Sequence, residues 1–431
     1  LSQKTIWRRR QEWEITRARQ QRHDFESLRP YIEEIIASKK NAGVRRLKAY
    51  LRGDGVEASE HLIASYVRTF HPEEVERRKA RRLKRKQFWS PGPFALLAVD
   101  QHDKWKRFGL FLHLGMDPFS GYITWCKVWC SNKNPILICS YFVEMMRRFQ
   151  AIPLLTQSDP GTENYGISNA QCYLRWLLDP ACVNRSQHRW MRGHSNIKPE
   201  IKWGQLRREF TASYEDLFQY GVTQGWYDVN VVIDKYVFRW LAVPFMQAEL
   251  DDYVRIHNTT RPRADKNKLL PHGVPEHILE HPQRFGARDY RVLVTDSDID
   301  LIEQLYATPS HPVFQLVPPT FDDHIAHNYR AIGAPAITLA SFWMVYLRLR
   351  DASLCSPVRD TLMATLSSRT AEEVIINSEA IEPIFDVNED VALPLPIFGV
   401  LGIGTPVEAS SDDDELIPEV GDLLQPPLTD T

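Results

Sequence analysis

Residues 89–129 read WSPGPFALLAVDQHDKWKRFGLFLHLGMDPFSGYITWCKVW. Phe94 to Val99 is an almost unbroken apolar run that stops at Asp100. Gly109 to Leu114 is a second run, and Tyr122 to Trp129 a third, rich in the β-branched and aromatic residues that suit strands. The breaks around Lys104–Arg107 and Pro118–Gly121 are short enough for hairpins. Three adjacent antiparallel strands are expected, the first ending at Asp100. Residues 134–149 then fit a helix with Pro135 in its first turn. Ile152 to Leu155 is a short apolar strand that delivers Gln157, Ser158 and Asp159. A strand, a helix and a strand after a three-strand meander imply an α/β fold with a mixed sheet and a crossover helix.

Towards the C-terminus, residues 167–178 suggest a helix and 180–196 a polar loop. From Ile197 to about Phe218 a long amphipathic helix is expected, with Ile201, Leu206 and Phe210 near one face and Pro199 tolerable only in its first turn. Residues 226–257 are aromatic and helical in pattern, and 261–277 form a Pro-rich, basic loop. Residues 286–350 read as a further unit with two helical stretches. From about 376 the chain turns acidic and Pro-rich, and Ser410 to Glu415 (SSDDDE) belongs to a disordered tail.

Towards the N-terminus, residues 1–23 make a basic arm without hydrophobic period. Leu28, Ile32, Ile35 and Ile36 share one face of a first helix, and Val44, Leu47 and Leu51 one face of a second. A turn at Arg52–Gly55 leads to a third helix, capped by Ser59 and carrying Leu62, Ile63 and Val67. The spacing suits a helix-turn-helix unit, and equally a plain three-helix bundle. Residues 76–87 (ERRKARRLKRKQ) follow, with Arg77, Arg78, Lys79, Arg81, Arg82, Lys84, Arg85 and Lys86. Such a run lacks apolar anchors. It would lie along a phosphate backbone, or serve as a charged linker or localisation signal.

The net charge of -2 conceals this asymmetry. Residues 1–90 hold 23 Lys and Arg against 12 Asp and Glu, whereas the last 25 residues hold 8 acids and no Lys or Arg. A polyanionic partner is expected for the basic head. No apolar run reaches 18 residues, so no membrane span is expected. The opening LSQKTIWRRR has no apolar stretch of a secretory signal. Cys126, Cys130, Cys139, Cys172, Cys182 and Cys355 form no CxxC pair, so free thiols in a reducing compartment are expected rather than a zinc site.

Asp100 and Asp159 each follow an apolar strand, where a carboxylate is costly unless it meets a cation, and Glu200 lies in the first turn of a helix. Two-metal phosphoryl transfer needs carboxylates converging from separate elements. Spacing alone does not select these three among 55 acids. Asp103 or Asp117 would replace Asp100 as ligand, or both are turn residues; Glu163 would assist Asp159 from four residues away. His102, Lys104 and His194 lie near the same place, and Arg207 and Arg208 would track phosphate or form a solvated helix face. His257, Asn258 and Arg261–Lys268 would contact DNA, close a lid, or form a structural loop.

The residues themselves add a resemblance. Residues 89–129 resemble the integrase core domain of transposon-derived proteins, in which Pro-Gly-Pro precedes a strand ending in Asp, followed by His-Asp-Lys and, before the third strand, Asp-x-Phe-Ser. IPLLTQSDPGTEN (152–164) is similar to that family's second block. HSNIKPEIKWGQLRREF (194–210) is similar to the third, in which Asn stands four before the acid and Trp three after it, here Asn196, Glu200 and Trp203. The similarity continues through residues 238–278, and covers roughly 40–295. It departs at Lys198 and Pro199, where basic residues and Ile are usual, and at Pro160, where Arg is common. The resemblance implies a ribonuclease-H-like fold, a mixed five-stranded sheet flanked by helices. It implies that Asp100, Asp159 and Glu200 bind Mg²⁺ or Mn²⁺ for cleavage and joining of DNA strands.

The organisation expected is a basic arm (1–23), a helical DNA-binding-like unit with the basic run (24–88), a catalytic core (89–220), its helical extension (221–295), a small helical unit (296–375) and an acidic tail (376–431). DNA, meaning transposon ends and target, is the expected partner. No membrane or small-molecule substrate is expected. A homo-oligomer and entry to the nucleus are expected as well. A catalytically silent, domesticated DNA-binding protein and a ribonuclease-H-like nuclease remain the competing readings.

Overall fold

The computed structural model describes residues 3–13, 21–39, 42–73, 75, 88–192, 196–264 and 268–385. The basic run 76–87, His194 and the chain beyond 385 lie outside these residues. The N-terminal part contains α1 (Gln3–Glu12), α2 (Phe25–Ser38), α3 (Val44–Gly53) and α4 (Glu60–Phe70). Asp24 and Ser27 form a capping box at the start of α2, and Ser59 caps α4 as expected, its Oγ accepting from Leu62 N at 3.1 Å. Leu28, Ile32, Leu47, Leu51, Ile63 and Val67 form one buried cluster, closed by Ile256 from a distant helix.

The central sheet consists of β1 (Leu96–His102), β2 (Phe111–Met116), β3 (Ile123–Trp129), β5 (Leu155–Ser158) and β6 (His188–Trp190), in the order β3-β2-β1-β5-β6. β1, β2 and β3 pair antiparallel, while β5 runs parallel to both β1 and β6. A short β4 (Ala151–Ile152) pairs with β7 (Val292–Leu293) outside this sheet. The mixed five-stranded α/β architecture is the one the resemblance implied. Three details differ. β1 does not stop at Asp100: ladder pairing with β2 holds it extended to His102, with Asp100 opposite Leu114. The apolar run 152–155 splits at Pro153, which has no N–H for a ladder, so Ile152 pairs with Val292 and only Leu155–Ser158 joins the main sheet. The fifth strand comes from residues 188–190, inside the stretch expected to be a loop.

Side chains alternate through the sheet. Leu97, Val99 and Trp125 pack on one face with α5 (Pro135–Phe149) and α6 (Tyr165–Leu178). Ala98, Leu112, Leu114 and Val128 pack on the other with α7 (Ile197–Leu206), α8 (Ala212–Thr223) and α9 (Val232–Thr259). Between α7 and α8 the helix widens into a π-turn at Arg207–Thr211. α9 also seals the free edge of β3. Gln247 accepts from Val128 N (3.0 Å) and donates to Cys126 O (3.1 Å); Asn258 accepts from Ile123 N and donates to Ile123 O, both at 2.9 Å. An edge strand covered in this way offers no template for another chain.

After α10 (Pro275–Glu280) come α11 (Asp296–Tyr306), α12 (Pro319–Ala331), α13 (Phe342–Leu354) and α14 (Arg359–Ile376). Residues 286–350 thus hold three helices rather than two, separated where proline and glycine interrupt the helical pattern. Phe321, Phe342, Trp343, Tyr346 and Leu366 join the core cluster of the sheet. Trp343 lies over Gly221, where a Cβ would come within 2.0 Å of its ring. Residues 377–385, which composition placed in the tail, lie against the core. Asn134 donates to Glu379, Asn169 to Glu382 O, and Phe385 meets Trp176 edge-on.

Candidate functional site

The parallel ladder between β1 and β5 ends at Ala98 and Gln157. Asp100 and Asp159 follow that point, one on each strand's continuation. Asp100 shares the sheet face of Ala98 and therefore looks towards α7. Trp203 Nε1–H donates to its Oδ2 at 3.0 Å, and Gln101 N–H donates to its Oδ1 at 2.9 Å. Burial pushes the Asp100 carboxyl up to about 7, and the neighbouring charges of Asp159 and, more weakly, Glu200 act in the same direction. Asp159 and Glu200, the other two acids named from sequence, are thus both within electrostatic reach of Asp100.

The other acids sort differently. Asp117 is buried and accepts from Phe94 N, Ser120 N and Ser120 Oγ, which makes it the organiser of the β2–β3 turn. Asp103 accepts from Asn132 Nδ2 at 2.6 Å. Glu163 accepts from Gln101 Nε2 at 2.5 Å and Asn164 Nδ2 at 3.2 Å. Burial first, then Asp103 and Asp159, raise its carboxyl above the usual range. Its side chain lies over Gly161, where a Cβ would meet Oε1 and turn the Glu163 carboxylate aside.

His102 stacks on Trp203 with centroids 4.9 Å apart, and burial pushes its imidazole down to about 4. Lys104 is held below its usual range by burial and by Arg207 nearby. Arg207 is half-buried and Arg208 exposed on the π-turn, and neither forms an ion pair among the described residues. His257 and Asn258 serve the fold: His257 Nε2 meets Gly121 O at 2.8 Å, and Asn258 caps β3. Arg261 and His272 bond within their own loop.

Sequence reasoning passed over His188 and Thr156, and gave Asn196 only by its offset from Glu200. His188 is fully buried, with Thr156 Oγ1 at 2.8 Å from Nδ1 and Ser158 Oγ at 3.0 Å from Nε2. Ser158 Oγ–H donates to Asp159 O at 3.0 Å, so Nε2 carries the imidazole proton and Thr156 donates to Nδ1. Gln157 and Asn196 bond to one another at 3.0 Å. The signal was present: Thr156, Gln157 and Ser158 form a polar run in a strand that is buried throughout, and such groups require partners.

Among the described residues, no three His, Cys, Asp or Glu side chains are gathered closely enough to hold a metal ion. The donor set still suits a hard divalent cation. Asp100 is a carboxylate raised by burial and by other carboxylates, and among the described residues no Lys or Arg forms an ion pair with it. Closing these oxygens onto an ion requires side-chain movement. Among the described residues no helix is long and apolar enough to cross a membrane, and all six cysteines are free.

Comparison with family models finds a match over residues 88–280, to the family described as integrase core domain. No curated protein matches the chain.

Proposed function

Since residues 88–280 belong to the integrase core domain family, we propose that this chain cleaves and joins DNA strands at a divalent-metal site formed by Asp100, Asp159 and Glu200. The observation that carries the proposal is the place of Asp100 on the β1 face turned to α7, where burial first, then Asp159 and Glu200, raise its carboxyl. A half-buried carboxylate beside like charges calls for a proton or a cation. Integrase core domains generally use divalent metals, and when bound such ions supply charge stabilisation for the attacking and leaving oxygens of phosphoryl transfer. The chain's own residues do the rest. Trp203 and the Gln101 amide favour the charged form of Asp100 by donating to both of its oxygens, against the burial that raises it. Arg207, which acts on His102 and Lys104, and Arg208 beside it on the π-turn supply cationic side chains for a DNA phosphate, and the basic run 76–87 adds further, sequence-independent affinity.

Joining two DNA ends calls for more than one site, so assembly from copies of this chain belongs to the proposal, as does nuclear entry through the basic run. The purified chain with Mn²⁺ is expected to nick or join short DNA duplexes, and Asp159→Asn to abolish it. Equal activity in wild type and Asp159→Asn would sink the proposal. One observation favours a second reading, a DNA-binding protein without catalysis: the acids are not gathered into a ready cage. That reading expects salt-sensitive DNA binding with no metal-dependent cutting.

A further inference from the structure

We propose that Asn196 is a positioning residue that sets the spacing of the three carboxylates for metal binding; the inference rests on the metal-site reading above. Its side chain is 0% exposed and sits where β1 and β5 part. Nδ2–H donates to Val99 O at 2.8 Å, in the residue just before Asp100. Oδ1 accepts from Gln157 Nε2 at 3.0 Å, two residues before Asp159. The Asn196 carbonyl accepts from Glu200 N at 3.4 Å, at the start of α7. One residue therefore touches all three acid-bearing elements.

The place matters. The β1–β5 ladder ends at Ala98 and Gln157, so the Val99 carbonyl has no partner on β5. Asn196 takes over there as a staple between the parting strands. Only a side-chain amide presents a donor and an acceptor together at that length; Asp lacks the donor and Leu lacks both. Without the staple, a buried carbonyl and the Gln157 amide lose partners, and the strand ends carrying Asp100 and Asp159 lose their cross-link.

The test is direct Mn²⁺ binding to the full chain, followed by electron paramagnetic resonance, for wild type, Asp159→Asn, Asn196→Ala, Gln157→Met and the double variant Asn196→Ala/Gln157→Met. Outer residues that orient metal ligands change metal affinity by about 10- to 100-fold when removed. Asn196→Ala is expected to weaken Mn²⁺ binding within that range, and Gln157→Met by less. The double variant is expected to bind no more weakly than Asn196→Ala, because both act through one staple. Raising Mn²⁺ should restore activity to Asn196→Ala and not to Asp159→Asn. If Asn196→Ala binds Mn²⁺ like wild type while Asp159→Asn does not bind, the staple proposal is overturned and the metal site stands. If wild type binds no better than Asp159→Asn, both fall. Thermal midpoints without metal report folding. Should Asn196→Ala fail to fold, Gln157→Met carries the test alone, and an unchanged Mn²⁺ affinity overturns the proposal.

Discussion

Trp203 does two things at once. Its indole N–H donates to Asp100 at 3.0 Å, and its ring face carries His102. A donor to a carboxylate favours the charged form that a cation needs, and hydrogen bonds to charged groups are worth about 1.5–3 kcal/mol. Trp203→Phe keeps a ring against His102 and removes the donor. Metal-dependent DNA cleavage by this variant is expected to fall about 10- to 100-fold, with the thermal midpoint little changed. Retained full activity would mean that the indole N–H is dispensable and Trp203 only packs. The offset of Trp203 from Glu200 was visible in sequence; its bond to Asp100, 103 positions away, depends on α7 lying across β1.

The outer edge of β3 is closed by two amides of α9, Gln247 and Asn258, whose side chains pair with backbone groups as a neighbouring strand would. α9 achieves this over 28 residues despite Pro244 in its interior. Asn258→Leu would leave the buried Ile123 N–H and C=O without partners. Each orphaned group costs about 1–3 kcal/mol, so a loss of about 2–6 kcal/mol in urea unfolding is expected. A loss below about 1 kcal/mol would mean that water or a shifted strand replaces the amide. Composition alone left Asn258 open between DNA contact and structural loop; the register of α9 against β3 decides for the edge.

Across the molecule, opposed titrations are locked in by burial. His113 and His188 are pushed down to about 3 and His102 to about 4, and His257 lies well below its usual value, all chiefly by burial. Asp100 is pushed up to about 7 and Asp117 to about 6, also by burial first. The signs oppose. A histidine depressed in the fold binds protons in the unfolded chain first, so its contribution is full above about pH 6.5 and is lost as pH falls. A raised carboxyl binds protons in the folded chain first, so stability falls as pH rises towards its folded value. The two sets partly offset one another, and a single variant isolates one. His188→Gln removes one depressed histidine. Its stability deficit relative to wild type should shrink by about 1.4 kcal/mol per pH unit as pH falls from 6 to 4 in denaturant titrations. A deficit independent of pH would show that His188 does not stay neutral in the fold.

The sequence by itself determined the strands of the meander, the crossover helix with Pro135 in its first turn, the cap at Ser59, and the acids Asp100, Asp159 and Glu200 as candidates. Those features depend on local period, turn chemistry and block spacing, which are properties of neighbours in the chain. Only the tertiary structure decided that β1 runs past Asp100, that residues 188–190 form the fifth strand, and that Asn196 joins Val99 to Gln157. The physical reason is common to all three. A polar group inside a sheet is stable only with a partner, and those partners stand 39 and 97 positions from Asn196 and 30 and 32 from His188. No local period encodes a pairing at such separations.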